Sequence, residues 1–268
     1  MMTKRSVINE CDELRHLNKA NISNLTQLWR LMGSRPLTIG NWRASTEWPH
    51  RCWLDWGESS ASDLLIEENL SQLKKPMVIP LWEESDEVFT DIKQILTCSG
   101  FELLFEQTAM YLDLKEYHTR KHLAKKHQSV ESNLEEQFIV REIDSAQDIE
   151  IWTNIAAKSF DYEIDTSSIH RAAANPEVKL LLAFVDKRPV ATAMLFDTNS
   201  VIGVHQVGVL PDCRGKGIAR KLMNQVVDMC IGMNGCYVTL QASVEGKGLY
   251  VSLGFREQFG IFNYVWWG

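Results

Sequence analysis

Six consecutive residues, Arg214-Gly215-Lys216-Gly217-Ile218-Ala219, combine glycine and basic positions in a pattern suited to holding an anion. They follow a strand-like apolar run over 201–210 and open a long amphipathic segment that reaches about residue 233. A glycine-rich turn between a strand and a helix lets backbone approach an anion closely, and the unpaired N–H groups of the helix N-terminus point at it. The chemistry implied is a phosphate cradle. It is not a Walker A loop, because the Gly-Lys-Ser/Thr ending is absent, nor a dinucleotide fingerprint, because the glycine spacing differs from G-x-G-x-x-G. His118 and His122 stand four apart and could share a metal on one helix face. No third ligand has suitable spacing and lysines surround the pair, so no metal is expected.

The elements around the cradle can be read from periodicity. Residues 138–142 alternate as a short strand, and Ser145 with Asp148 resembles a capping box opening a helix that carries Ile149, Trp152, Ile155, Ala156 and Phe160 at helical spacing. The loop 161–165 leads to a second short helix that ends before Asn175-Pro176. Strands follow at 179–185 and 190–197, joined by the turn 186–189, and then comes the strand 201–210. The helix after the cradle shows the stripe Ile218, Leu222, Met223, Val226, Val227 and Cys230. A strand at 237–242, a short helix near 248–253 and a strand at 255–267 close the chain. The order β-α-α-β-β-β-α-β-α-β predicts an α/β (α+β) fold, a mixed β-sheet with helices on both faces.

Residues 115–136 are dense in charge and poor in large apolar side chains, and they mark the expected boundary between domains at 1–130 and 137–268. The first half begins with a helix-like stretch containing Leu14, Leu17, Leu25, Leu28 and Leu31, then gathers Trp42, Trp48, Trp53 and Trp56. Those tryptophans read as core or interface, with a ligand wall as the other possibility. The half ends as strand 77–82, helix 85–98, Gly100-Phe101 and an extended run 102–114. The second half ends in the same succession, through Gly254-Phe255. This echo suggests two copies of one fold in tandem, of which only the second has a glycine-rich anion loop.

The run Val207-Gly-Val-Leu-Pro-Asp-Cys-Arg-Gly-Lys-Gly-Ile-Ala219 resembles the acetyl-CoA signature of the GNAT superfamily of N-acetyltransferases, R-x-x-G-x-G/A after an apolar strand end and a proline. Arg214, Gly217 and Ala219 fill its three positions. Gln241-Ala242-Ser243 followed by Gly248 to Phe255 is similar to the family's second pattern, L-x-A-S…G-x-x-L-Y-x-x-x-G-F. The resemblance covers about 137–268. It implies a GNAT acetyltransferase domain there and a degenerate GNAT-like domain without a CoA loop at 1–130.

From the resemblance follow the expected roles. Backbone N–H groups of Arg214, Gly215, Lys216, Gly217, Ile218 and Ala219 would bind the CoA pyrophosphate, with Arg214 and Lys216 adding charge. The strand edge at Val207, Gly208 and Val209 would bond the pantetheine arm where the strand splays from its neighbour near Val209. Ser243 would contact the cofactor or, alternatively, cap a helix. Tyr250 would protonate the departing thiolate, or else simply pack beside the Gly254-Phe255 turn. The family's strand carboxylate is missing here, and His205, placed by alternation on the face of Val207, is the substitute base unless it is an ordinary strand histidine. Asp161, Glu163 and Asp165 border the expected acceptor site and could attract a cationic amine or serve as the base.

Composition sets outer limits. The chain has 268 residues, 45% hydrophobic and 24% charged, with formal net charge −7. That charge argues against nucleic-acid or anionic-membrane partners and fits an amine-bearing substrate. Six scattered cysteines (11, 52, 98, 213, 230, 236) without a C-x-x-C pair suggest reduced thiols in a cytoplasmic protein. Neither a signal core nor a membrane span is apparent. The function expected is N-acetyl transfer from acetyl-CoA to a primary amine on a small molecule or peptide. The alternatives are a CoA-binding pseudoenzyme and a regulatory or interaction module, with the tryptophan-rich half as docking face.

Overall fold

The computed structural model describes residues 4–37, 41–55, 76–83, 86–125 and 138–267. Trp56, and the part of the expected linker beyond residue 125, lie outside the described residues. The chain divides into two compact units, one of residues 1–110, 241–244 and 257–268, the other of residues 111–240 and 245–256.

The second unit carries the glycine turn. Helix α3 (Leu114–Lys125) leads toward β6 (Phe138–Ile143), followed by α4 (Ala146–Phe160) and α5 (Thr166–Ala173). Strands β7 (Val178–Val185), β8 (Arg188–Thr198) and β9 (Val201–Val209) come next, then a 3₁₀ turn at Pro211–Cys213, α6 (Ile218–Gly232), β10 (Tyr237–Ser243) and α7 (Lys247–Leu253). The sheet runs β10–β9–β8–β7–β6, antiparallel except where β10 lies parallel to β9. This mixed α/β arrangement is the one expected from the pattern. Ser145 caps α4 and its hydroxyl accepts from Asp148 N–H at 3.1 Å. Buried Ile149, Trp152, Ile155 and Ala156 pack that helix on the sheet, and Trp152 Nε1 donates to the Ala193 carbonyl at 3.1 Å. Phe160 departs from the expected stripe. It stands at the helix end, 37% exposed.

The first unit opens with α1 (Lys4–Met32), whose buried Leu17, Ile22, Leu25, Leu28, Trp29 and Met32 recur at helical spacing. Strands β1 (Ser34–Pro36), β2 (Arg43–Ser45) and β3 (Cys52–Trp53) form a small antiparallel sheet. Strands β4 (Met77–Trp82), β11 (Arg256–Trp266) and β5 (Glu102–Asp113) lie side by side in the order β4–β11–β5, with α2 (Asp86–Cys98) between β4 and β5 in sequence. Six register pairs, from Ile261↔Trp82 to Trp266↔Met77, join β11 to β4. Trp42, Trp48 and Trp53 are buried, so they are core and present no docking face. Trp29 meets Trp53 edge to face at 5.2 Å and Trp82 stacked at 6.3 Å.

One polar seam crosses this apolar unit. The amide of fully buried Asn21 donates to Met110 O at 3.2 Å and Gln258 Oε1 at 2.6 Å, and accepts from Gln241 Nε2 at 2.7 Å. Gln258 Nε2 continues to Asn18 Oδ1 at 2.8 Å. Such a network holds one helix rotation only, because any slip leaves desolvated amides unpaired.

Candidate functional site

The glycine turn has the geometry of an anion cradle. Gly215 and Gly217 both take positive φ, +76° and +74°, which side-chain-bearing residues rarely adopt. A Cβ built at either would meet no heavy atom within 4 Å. Gly217 is the N-cap of α6 and supplies no side-chain cap, leaving the first-turn N–H groups directed out of the helix end. Ile218 is buried and anchors the helix, while Lys216 is exposed. Ala219 follows in the first turn, so small residues keep the helix mouth unobstructed.

Arg214 does something other than the charge screening expected of it. Its Nη2 donates to Ser159 O at 2.6 Å and its Nε to Val209 O at 3.2 Å. One guanidinium thus ties the start of the loop to the last turn of α4 and to the end of β9. A cation on the carbonyl end of a helix is also favourable to the helix dipole. Arg220 Nη2 donates to Ser252 Oγ at 2.9 Å and fixes α7 against α6 in the same manner.

Strand β9 splays from β10, and earlier than near Val209. Their parallel pairing covers Val201–Gly203 against Tyr237–Thr239 and stops there. On its other side β9 remains paired with β8 through Val209↔Ala191. The β9 backbone from Val204 to Val209 therefore has one edge committed to β8 and one that β10 leaves. Val207 and Val209 are half-buried, and Gly208 is buried against α4, where a Cβ would come within 2.7 Å of Ser159 Cβ. Only glycine permits that approach of helix to strand.

A β-bulge lies within this stretch. Met194 faces His205 and Thr192 faces Gly208, so Gln206 and Val207 together oppose Ala193 alone, and Gln206 takes φ +51°. Its carbonyl accepts from Thr192 Oγ1 at 3.0 Å. The extra residue corrects the expectation from alternation. His205 shares a face with Gly208, toward α4, and not with Val207. It is buried there, 7% exposed.

Tyr250 sits in α7, buried, its ring edge-on to Phe255 at 5.7 Å. Burial pushes its phenol from 10.0 up to about 12, so it holds its proton at neutral pH. Ser243 ends β10, exposed, and is not a helix cap, because Gly246 caps α7.

The three loop carboxylates separate in role. Asp165 is the N-cap of α5, accepting from the N–H and Oγ of Ser167 and Ser168. Desolvation pushes its carboxyl upward, but those hydrogen bonds together outweigh it and hold the group below its ordinary value. A carboxylate so occupied is a poor base. Asp161 ends α4 in the left-handed region at φ +58°, exposed, and Glu163 is exposed. Between them Tyr162 stacks on Phe160, with centroids 5.7 Å apart and planes 22° from parallel, and its hydroxyl donates to Gln206 Oε1 at 3.4 Å. Sequence reasoning missed Gln206, since one extra residue in an apolar run leaves no trace in periodicity. It also counted Phe160 as core; the aromatic pair flanking an aspartate was the available signal. Among the described residues no group of three His, Cys, Asp or Glu side chains could hold a metal.

With this geometry in place, comparison with known proteins assigns the class. The model of the Acetyltransferase (GNAT) family matches residues 140–255. Residues 140–255 thus match a GNAT-family acetyltransferase domain. The fold is similar to that of the GCN5-related N-acetyltransferase from Kribbella flavida, with TM-score 0.64 and 16% identity over 93% of this chain and 95% of that one. It is also similar to a GCN5-related N-acetyltransferase from Sphaerobacter thermophilus, with TM-score 0.52 and 16% identity over 71% of this chain and 60% of that one. No described helix is long and apolar enough to cross a membrane.

Proposed function

We propose that the chain transfers an acetyl group from acetyl-CoA to the primary amine of a small-molecule or peptide acceptor, with the pyrophosphate held at residues 214–219. The observation carrying this reading is the unobstructed glycine turn at an uncapped helix N-terminus, directly after a strand whose parallel neighbour leaves it at Gly203. N–H groups of the turn hold the pyrophosphate, and the free edge at Val207–Val209 takes the pantetheine amides. The bond from Arg214 to the Val209 carbonyl leaves that oxygen a second lone pair.

A neutral amine attacks the thioester carbonyl, and the bond to sulfur breaks as the tetrahedral centre collapses. Tyr250 is the donor to the leaving sulfur. A phenol at about 12 would give its proton to an ordinary thiolate, near ~8.5, only uphill. Its role is therefore to donate a hydrogen bond to the developing thiolate, with solvent completing the protonation. His205, on the α4 face beside the Phe160–Tyr162 loop, is the base for the attacking amine.

Residues 1–130 are a degenerate second copy of the same fold. Two matching turns support this: Gly100 and Gly254 have φ +82° and +96°, and Phe101 N–H donates to Leu96 O as Phe255 N–H donates to Tyr250 O, each at 3.0 Å. Leu96 thus stands where the second copy has its tyrosine, so the first copy lacks both the glycine loop and the phenol.

The test combines a thermal shift with acetyl-CoA and free-CoA release across a panel of amines, on wild type and Gly217→Glu. Left-handed backbone makes any side chain at 217 cost about 1–2 kcal/mol, which a folded domain tolerates. The expected result is a stabilised, active wild type and a folded variant without acetyl-CoA binding. Unchanged affinity in the variant would sink the pyrophosphate assignment, and binding without turnover of any amine would make the chain a CoA-binding pseudoenzyme.

A further inference from the structure

The small sheet of the first unit has one apolar face and one polar face. Trp42, Ala44, Cys52 and Leu54 alternate into the apolar core. Arg43 and Trp53, paired across β2 and β3, lie on the opposite face, and Asp55 follows Trp53 by two residues. Trp29 of α1 packs edge-on against Trp53, which brings the end of that helix, with Arg30, to the same face. There Arg30 pairs with Asp55 through Oδ2, and Arg43 Nη2 donates to Ser34 Oγ at 3.1 Å. Among the described residues, the buried atoms Arg43 Nε, Trp53 Nε1 and Asp55 Oδ1 have no hydrogen-bond partner.

A buried donor or acceptor without a partner is costly, and a ligand that supplies the partner recovers the loss. Two of these atoms are donors on neighbouring strands, close enough to share one carboxylate. The other is an acceptor and takes an N–H. The charge agrees. Burial first, then Arg30, hold the Arg43 guanidinium below its ordinary value, and Asp55 only partly opposes them, so the face favours an added anion. We infer that this face binds a zwitterionic α-amino acid, its carboxylate on Arg43 Nε and Trp53 Nε1 and its ammonium on Asp55 Oδ1. The Arg30–Asp55 pair closes the mouth of the site, its side chains 39% and 35% exposed. A pair so exposed contributes little, and opening it costs less than satisfying the unpaired groups recovers. These residues all belong to the first unit and the glycine turn to the second, so the inference goes beyond acetyl transfer and does not depend on it.

Thermal shift with each of the standard L-α-amino acids, followed by calorimetry on the best, tests it. Wild type should bind at least one of them, about tenfold or more tighter than the matching acid and amine that each lack half of the zwitterion (for L-alanine, propionate and ethylamine). Arg43→Met should lose that binding with its circular dichroism unchanged. Arg43→Lys keeps the charge without the Nε donor and should weaken binding about tenfold. Asp55→Asn should weaken it by a similar factor, whereas Arg30→Met breaks the same ion pair but keeps the acceptor and should not. Should Arg43→Met fail to fold, the contrast between Asp55→Asn and Arg30→Met still decides. A wild type that binds none of the amino acids overturns the inference and leaves trapped water as the partner of the three atoms. Binding that survives both the Arg43 and the Asp55 substitutions overturns it too, because the amino acid then sits elsewhere, as an acceptor of acetyl transfer would. Equally tight binding of the acid without its amine removes Asp55 from the site and overturns the zwitterion assignment.

Discussion

Tyr250, the proposed donor to the leaving sulfur, should also register in stability. Its phenol titrates at 10.0 when free and about 12 in the fold, because burial disfavours the phenolate. Between those values the unfolded chain releases its proton while the folded chain keeps it. The stabilisation is complete below pH 10 and is lost as pH rises toward 12. That difference corresponds to about 3 kcal/mol. Urea titrations from pH 9 to 12 should therefore show a stability loss in wild type that is smaller in Tyr250→Phe by about that amount. In turnover assays the same variant should lower kcat at least tenfold with acetyl-CoA affinity nearly unchanged, and an unaltered kcat would make the residue structural. At this scale the sequence was informative about identity and weak about environment. The glycine turn and the Asp148–Ser145 cap could be named from spacing, because backbone geometry demands those residue types, whereas Tyr250 was named only through the family resemblance. The occupation of Asp165 by its own helix, and of Arg214 by two carbonyls, could not, because those bonds depend on where other elements end.

The elements meet at Arg214, whose guanidinium reaches Ser159 O and Val209 O together. Only a planar fork with several fixed N–H groups spans two carbonyls on separate elements, and a lysine ammonium would hold one at most. Arg214→Lys should therefore weaken acetyl-CoA binding about tenfold while leaving secondary structure intact, as measured by calorimetry and circular dichroism. A loss no larger than that of Lys216→Ala would show that charge alone matters at this position. Element order in the second half was legible from apolar periodicity and turn residues, with ends displaced by only a few residues. The bulge was not. Strand patterning reports burial, and residues 202–205 are all buried, so alternation carried no signal through the point where the register slips.

For the molecule as a whole, the two compact units do not follow a single cut in the sequence. Strand β11 closes the chain, yet from residue 257 onward it belongs to the unit that begins at the N-terminus, paired to β4 over six positions. A fragment of residues 137–268 would leave that strand's apolar side chains and ladder groups without β4. Its expected behaviour is aggregation, or a melt lacking a cooperative transition, where the full chain melts cooperatively. Asn21 reports on the same unit. Asn21→Leu strands the amides of Gln241 and Gln258, and should cost about 2 kcal/mol in a urea titration even though leucine suits the helix better. A neutral or stabilising effect would mean that the polar seam is dispensable. The tandem echo was visible in the sequence as repeated strand–helix–glycine order. The return of the last strand to the first unit was hidden, since pairing partners far apart in sequence leave no local mark.

The slip at Gln206 gives β9 a phase change. Before it, side chains keep one assignment of faces; after it, the assignment inverts, while the backbone continues without a break. His205 before the slip and Gly208 after it both face α4, whereas Val207 and Val209 face away from that helix. Neighbouring positions of one strand can then be altered one face at a time, those toward α4 without disturbing those that face away.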